Sequence, residues 1–266
     1  MEFIWLAYIA AGAAVGIAVG ITGVGGGSLM TPLLLMFGFP PNIAIGTDLL
    51  YAAITKSSGI YSHHKSGNID WTILKRMALG SIPAALVTSI ILKLLFTDAN
   101  AYTHILTFSL GIMLVLTSVV LFFRRKVTQE SLQEERKNAK GFIAWADRHP
   151  SAITTFMGIV IGVFVTLSSV GAGAIGAAVL LFLYPYLVSQ KIVGTDIAHA
   201  VPLTFIAGMA HLWLGNVDFL LLGCLLIGSL PAIHVGTAIS NRLPSHVLQP
   251  ILASILMVLG LKFVFF

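Results

Sequence analysis

The sequence predicts an all-α polytopic membrane protein made of two related units, each with about five transmembrane segments. Of the 266 residues, 57% are hydrophobic and only 9% are charged, whereas soluble domains carry roughly a quarter charged residues. Several apolar stretches approach 20 residues, and a helix of about that length crosses a hydrocarbon core of ~30 Å. Short motifs also recur at a fixed spacing in the two halves of the chain.

Three motifs of the first half return 148 residues later, and a fourth, glycine-rich motif returns 146 residues later. The pairs are IGTDLL at 45–50 with VGTDIA at 193–198, GNIDW at 67–71 with GNVDF at 215–219, GSIPA at 80–84 with GSLPA at 228–232, and GVGGG at 23–27 with SVGAG at 169–173. Such a regular offset indicates a duplicated unit. We therefore divide the chain into an N-terminal transmembrane repeat at 1–123, a basic linker at 124–150 and a C-terminal transmembrane repeat at 151–266.

Each repeat contains five apolar segments. They cover roughly 3–22, 28–39, 43–62, 71–96 and 104–123 in the first repeat, and roughly 151–167, 173–188, 195–214, 218–239 and 247–266 in the second. Because the number of segments is odd, consecutive crossings would leave the second repeat inverted relative to the first.

The basic residues predict the orientation in the membrane. Seven of the 15 Lys and Arg residues lie in the linker at 124–150, and basic loops stay in the cytoplasm. We therefore expect a prokaryotic plasma (inner) membrane protein with a cytoplasmic linker and an external N-terminus. The alternative treats the short second segment of each repeat as a re-entrant hairpin, which gives 4+4 parallel repeats. That arrangement leaves Lys191 and Arg242 outside.

The stretch GITGVGGGSLMTPLLL at 20–35 breaks the apolar pattern. A helix over 28–39 covers only ~18 Å, so we expect it to begin within the membrane after an extended GVGGG. The second repeat follows the same plan, with Pro185 limiting its short helix to about eleven residues. Non-helical backbone at membrane depth lines a cavity or is buried in protein, and paired breaks of this kind are typical of a transporter's substrate site.

A bare helix start suits an anion, because its N–H groups are free and its dipole is positive there. Neither glycine break is followed by an acid, so we expect both helix starts to be open to a foreign anion. Small residues from Ala10 to Gly20 are instead typical of close helix packing. We expect Gly12→Ala to be tolerated if that helix packs loosely there.

Two aspartates occupy equivalent GTD motifs, Asp48 in the first repeat and Asp196 in the second. One interpretation is that each caps the start of the helix that follows. The other is that these carboxylates relay protons through the membrane. His199 and His211 are further candidates for proton coupling, since histidine titrates near neutral pH.

Lys56 lies in the middle of the segment at 43–62, beside Ser57. A lysine at this depth is costly unless it has a partner or reaches the membrane surface. We expect it to face a cavity and to offer positive charge to the substrate. The equivalent residue of the second repeat is Thr204, so this charge is present on one side only.

Several function classes lack their signatures. The single cysteine, Cys224, excludes a cysteine metal cluster, and the sequence contains neither HExxH nor GxxxxGK[ST]. Acidic residues offset much of the linker's charge, so nucleic acid is not an expected partner. We expect no enzymatic activity and no cofactor, and a driving force that is an ion gradient or the substrate's own gradient.

The glycine-rich stretch at 20–35, GTDLL with its counterpart GTDIAHAVP, and the duplicated GN(I/V)D resemble the TauE/SafE sulfite exporter family over the whole chain. The resemblance implies transport of sulfite, thiosulfate or organosulfonates. It also places the family's glycine loops at 23–28 and 170–173 and its GT element on Gly46, Thr47, Gly194 and Thr195. The substrate-binding candidates are Gly25, Gly26, Gly27, Ser28, Thr47, Lys56, Ser57, Ser169, Gly171, Ala172, Gly173 and Thr195.

The sequence therefore predicts a secondary transporter of small sulfur-containing anions embedded in the lipid bilayer. An anion channel of similar selectivity is the alternative, and we also allow for a homodimer. A sulfite or sulfonate group offers three oxygens to N–H donors, which a bare helix start can supply.

Overall fold

A computed structural model describes residues 4–22, 27–96, 99–123, 148–240 and 245–265, together with residues 133, 134, 141 and 145. Ten α-helices make up this described part: α1 Ile4–Thr22, α2 Gly27–Met36, α3 Pro41–Lys65, α4 Trp71–Leu95, α5 Thr103–Phe123, α6 Pro150–Ser168, α7 Ala174–Leu183, α8 Ser189–Trp213, α9 Phe219–Ser240 and α10 Ser245–Phe265. One 3₁₀ turn, Ala99–Tyr102, precedes α5. The all-helical prediction is confirmed.

Six of these helices are long and apolar enough to cross a membrane: α1, α4, α5, α6, α8 and α9. The short helices α2 and α7 have ten residues each, as the glycine breaks and Pro185 predict. The largest error concerns α8, which begins at Ser189 rather than near 195. The first two turns of α8 are polar. They are helical because they pack on the GN(I/V)D turn of the other repeat.

Helices α1 and α9 run parallel with their backbones in close contact. An added Cβ on Gly12 would lie 2.4 Å from the Leu225 carbonyl oxygen, and one on Gly20 would lie 2.4 Å from that of Ile233. The small residues of α1 therefore pack closely, as the sequence predicts. The condition for tolerance at Gly12 is not met, because this part of α1 is not loosely packed.

Helices α4 and α6 form the matching parallel pair, with α4 from the first repeat and α6 from the second. A Cβ added to Gly158 would lie 2.4 Å from the Met77 carbonyl oxygen, and one on Gly162 would lie 2.3 Å from that of Ser81. In both pairs the first helix of one repeat thus packs on the fourth helix of the other.

Two pairs of helices in equivalent positions of the two repeats run antiparallel to each other. In the pair α3 and α8, Gly46 near the start of α3 faces His211 near the end of α8, while Gly194 faces His63. In the pair α5 and α10, Gly111 faces Val264. Both ends of α3 are therefore in contact with the opposite ends of α8, and this central pair carries the polar residues of the site.

The close contact at Gly12 gives a first prediction. Gly12→Ala is expected to lower the thermal stability of the purified protein, because backbone carbonyl atoms cannot move aside for the methyl group and overpacking costs ~1–3 kcal/mol. The measurement is the melting temperature in detergent. Gly223→Ala on α9 is the control, because an added Cβ there meets nothing within 4 Å. Equal melting temperatures for the two variants would contradict the packing of α1 on α9.

Candidate functional site

The second glycine break forms an irregular loop between α6 and α7. Ser169 adopts a left-handed conformation with φ 59°, and Gly171 and Gly173 have φ values of 117° and 139°. These conformations stop α6 at Ser168 and allow α7 to begin at Ala174. The first N–H groups of a helix lack partners within the helix, so the loop delivers a helix start into the protein interior.

Lys56 reaches this loop from the middle of α3. Its Nζ atom donates a hydrogen bond of 2.8 Å to the carbonyl oxygen of Ala172. The side chain is half-buried and lies within electrostatic range of Asp196 and Asp48. The cation of the first repeat therefore lies at the backbone break of the second repeat.

A cavity of about 210 Å³ adjoins this lysine. Its polar lining includes Thr55, Lys56, Ser58 and Asp196, and Gly173 and Ala174 at the start of α7 form part of its wall. Val19 of α1 and Ile233 of α9 contribute apolar surface. The cavity thus contains one cation, one carboxylate and one helix start, and elements of both repeats surround it.

Asp196 lies directly against the first turn of α7. A Cβ added to Gly176 would lie only 2.0 Å from its Oδ1 atom, and the residue is 2% exposed. The absence of a side chain at Gly176 is what lets the carboxylate approach the helix start. No acid follows the second glycine break in the sequence, but a neighbouring helix supplies a carboxylate to the start of α7.

Asp48 has the equivalent position in the first repeat. Its Oδ2 atom accepts a hydrogen bond from the hydroxyl of Thr31 in α2, and the Ser169 hydroxyl also lies beside the carboxylate. Asp48 is fully buried. It therefore connects the short helix of the first repeat with the glycine loop of the second.

The capping interpretation of both aspartates is wrong. Asp48 and Asp196 lie two turns inside α3 and α8, whose N-cap residues are Pro40 and Val188. The aspartates that do cap helices belong to the GN(I/V)D motifs. Asp70 accepts the N–H groups of Thr72 and Ile73 at the start of α4.

Each GT element packs on the GN(I/V)D turn of the other repeat. Thr47 accepts the backbone N–H of Asp218 at 3.1 Å, and Thr195 accepts that of Asp70 at 2.8 Å. The neighbouring glycines are equally close, since a Cβ on Gly46 or Gly194 would lie 2.1 Å from the carbonyl oxygen of Asn216 or Asn68. The hydroxyls of Thr47 and Thr195 therefore hold the two repeats together in this structure.

The two histidine candidates have different surroundings. His211 Nε2 lies 2.9 Å from the Thr166 carbonyl oxygen, and its Nδ1 lies 3.3 Å from the side-chain nitrogen of Asn216. Both ring nitrogens thus have partners in the helix packing. His199 is fully buried, with Nε2 at 2.7 Å from the Ser81 hydroxyl, and it lies within electrostatic range of Lys56.

The pairing of His199 with Ser81 has a counterpart that sequence reasoning missed. Tyr51 is the equivalent of His199, and its hydroxyl lies beside the hydroxyl of Ser229, the equivalent of Ser81. All four side chains are buried. The signal was present in the duplicated GS(I/L)PA motif, whose serine recurs in both repeats.

The remaining candidates fall into two groups. Ser57 is exposed on α3, and its hydroxyl donates to the Ala53 carbonyl at 2.6 Å, so it does not share the cavity with Lys56. Gly25 and Gly26 lie outside the described residues, and Gly27 and Ser28 begin α2. The glycine-break candidates whose burial the structure describes all belong to the second break: Ser169, Gly171, Ala172 and Gly173.

The chain is similar to known membrane transporter proteins. The profile of the family described as "Sulfite exporter TauE/SafE" matches residues 8–263. A "Probable membrane transporter protein YjnA" of Bacillus subtilis (strain 168) is 38% identical over 94% of this chain and 96% of its own length. "Probable membrane transporter protein YdhB" of the same organism is 29% identical over 88% and 89% of the two chains.

A third relative comes from an archaeon. "Probable membrane transporter protein MJ0441" of Methanocaldococcus jannaschii is 25% identical over 95% of this chain and 92% of its own. No solved structure gives a significant match.

Proposed function

The chain belongs to the TauE/SafE sulfite exporter family, and from this premise we propose that it is a secondary transporter of small sulfur-containing oxyanions. The observation that carries the proposal is the cavity in which Lys56 faces the start of α7. A sulfite, thiosulfate or organosulfonate group fits this combination of donors. A charged side chain at membrane depth is typical of a substrate pathway.

Binding would replace an internal contact with a contact to the anion. Lys56 now donates to the Ala172 carbonyl, and a sulfonate oxygen is a stronger acceptor for an ammonium group than a neutral carbonyl. The N–H group of Ala174 would supply a further donor, with the helix dipole aligned toward the charge. Gly173, which has no side chain, leaves the backbone accessible to the ligand.

We further propose that the two repeats are inverted and provide alternating access to this cavity. The antiparallel pairs α3 with α8 and α5 with α10 support this arrangement, because parallel repeats would place equivalent helices in the same direction. The N-terminus would lie outside and the linker inside a prokaryotic plasma membrane. Gln133 of the linker donates to the Pro185 carbonyl just before α8, which agrees with Lys191 and the linker lying on one side.

Cysteine labelling tests the inverted arrangement. Gly67 and Gly215 mark equivalent turns, but both have positive φ values, so a cysteine there would be strained. Ser66→Cys and Leu214→Cys, introduced singly in a Cys224→Ala background, avoid this strain. An impermeant maleimide is expected to label Ser66→Cys only from the cytoplasmic side and Leu214→Cys only from outside. Labelling of both from the same face would contradict inversion and favour parallel repeats.

Transport itself is tested in proteoliposomes with labelled sulfite, thiosulfate, sulfoacetate and sulfate. Uptake of one or more of the first three above protein-free vesicles is expected, with unlabelled substrate competing. Failure of all sulfur anions to be transported or bound would overturn the proposal. An anion channel remains the alternative, and counterflow separates the two, because only a carrier shows trans-stimulation by substrate on the opposite side.

A further inference from the structure

Asp196 occupies the place where the anion is proposed to bind. Its carboxylate lies on Gly176 in the first turn of α7 and lines the same cavity as Lys56. A helix start carries about half a positive charge, and one lysine adds a full charge. In the structure this positive potential is already balanced by a carboxylate of the protein.

A second anion in this cavity would be repelled by the resident carboxylate. Asp196 is 2% exposed, so water cannot screen the two charges effectively. Two outcomes would relieve the repulsion: the carboxylate moves away or it takes up a proton. Movement is restricted, because Asp196 lies inside α8 and the same helix is fixed at Thr195 to the turn at Asp70.

Among the residues that the structure describes, the other charged groups around Asp196 do not offer an equivalent proton site at the start of α7. Lys56 faces it from α3, and Asp48 on the same helix lies within electrostatic range of Lys56. His199 lies one turn along α8 and is held by Ser81 of α4. Helices α6 and α7 contain no titratable side chain, and α1 and α9 present Val19 and Ile233 to the cavity.

We propose that Asp196 is an internal counter-ion that must be protonated for the substrate anion to bind, so that the protein moves a proton together with each anion. The proton is a second substrate, taken from water by an Asp196 carboxylate oxygen and released when the anion leaves. This inference rests on the proposed function. It assigns to one carboxylate the coupling that the sequence left open among Asp48, Asp196, His199 and His211.

Binding measurements on the wild-type protein provide the first test. The probes are thiosulfate and ethanesulfonate, whose own charges do not change near neutral pH. If one proton accompanies each anion, the Kd is expected to rise about tenfold per pH unit once Asp196 is ionised. A pH indicator in weakly buffered detergent solution should show proton uptake on binding. A Kd that is independent of pH, without proton uptake, would overturn the inference.

Variants then assign the proton to a residue. Asp196→Asn keeps the size of the side chain and removes its charge, so binding is expected to persist at high pH and to take up no proton. Proton-driven accumulation in vesicles should be lost while counterflow remains. Asp70→Asn is the control, because asparagine caps a helix as well as aspartate does, and it should keep the wild-type pH dependence.

The outcomes separate this inference from the proposed function. If neither probe nor any anion of the transport panel binds wild-type protein at any pH, the proposed function fails. If a probe binds but Asp196→Asn retains the wild-type pH dependence, only the role of Asp196 fails. If Asp48→Asn rather than Asp196→Asn removes the pH dependence, the proton belongs to the other repeat and the inference is wrong.

Discussion

Replacing Lys56 with glutamine is expected to weaken the binding of thiosulfate or ethanesulfonate by about tenfold or more. A hydrogen bond to a charged group contributes about 1.5–3 kcal/mol, and ~1.4 kcal/mol corresponds to a factor of ten in Kd. The variant also leaves Asp48 and Asp196 without the cation that faces them, which adds repulsion toward the substrate. The measurement is the Kd of the purified variant, with uptake in proteoliposomes as a second readout.

Lys93→Gln is the matched control for the Lys56 variant. Lys93 lies near the end of α4, and its Nζ atom is 3.4 Å from the centre of the Trp213 ring. Lys93 does not line the cavity. This substitution should leave the Kd near the wild-type value. A folded Lys56→Gln protein that binds both probes normally would remove Lys56 from the anion site.

A double variant separates loss of a donor from loss of charge balance. In Lys56→Gln/Asp196→Asn one cation and one carboxylate are removed together, so part of the lost affinity should return. The two residues line one cavity, and non-additive effects are expected for such neighbours. Strict additivity of the two single effects would indicate that the charges do not act on one bound anion.

The positions of the helices could largely be predicted from the sequence. Apolar stretches locate the spans, and the second glycine break together with Pro185 limits α7 to Ala174–Leu183. The offset between motifs also identifies which helices are equivalent. These features are local, because hydropathy, glycine and proline act within a few residues of their own position.

The origin of the carboxylates at the short helices could not be predicted from local sequence. GTD has the composition of a helix start, and only the tertiary structure shows that Asp196 lies inside α8 and faces Gly176. The polar segment before it is helical because Thr195 and Gly194 contact the turn at Asn68 and Asp70. That turn is more than a hundred residues away in the chain, so no local pattern contains the contact.

The contact between the GT elements and the opposite turns predicts the largest effect on folding. Gly194→Val is expected to yield no stable, monodisperse protein. An added Cβ would lie 2.1 Å from the Asn68 carbonyl oxygen and 2.8 Å from His63 Nδ1, and the carbonyl belongs to backbone that cannot rotate away. The displaced turn would also lose the hydrogen bond between Thr195 and the Asp70 N–H, worth about 1 kcal/mol.

The effect at Gly194 should increase with the size of the new side chain, and the equivalent residue Gly46 should show the same effect. Gly194→Ala is expected to give folded protein with a lower melting temperature, and Gly46→Val should fail as Gly194→Val does, because its Cβ would lie 2.1 Å from the Asn216 carbonyl. Gly223→Val, introduced where an added Cβ meets nothing within 4 Å, is the control for a β-branched residue in a membrane helix. Size-exclusion chromatography of fluorescent fusion proteins measures the yield and homogeneity of all four variants.

If Gly194→Val matched Gly223→Val in yield and stability, the turn at Asn68 would not pack on α8. Asp196, two residues further along, would then lack the fixed position that its contact with α7 requires.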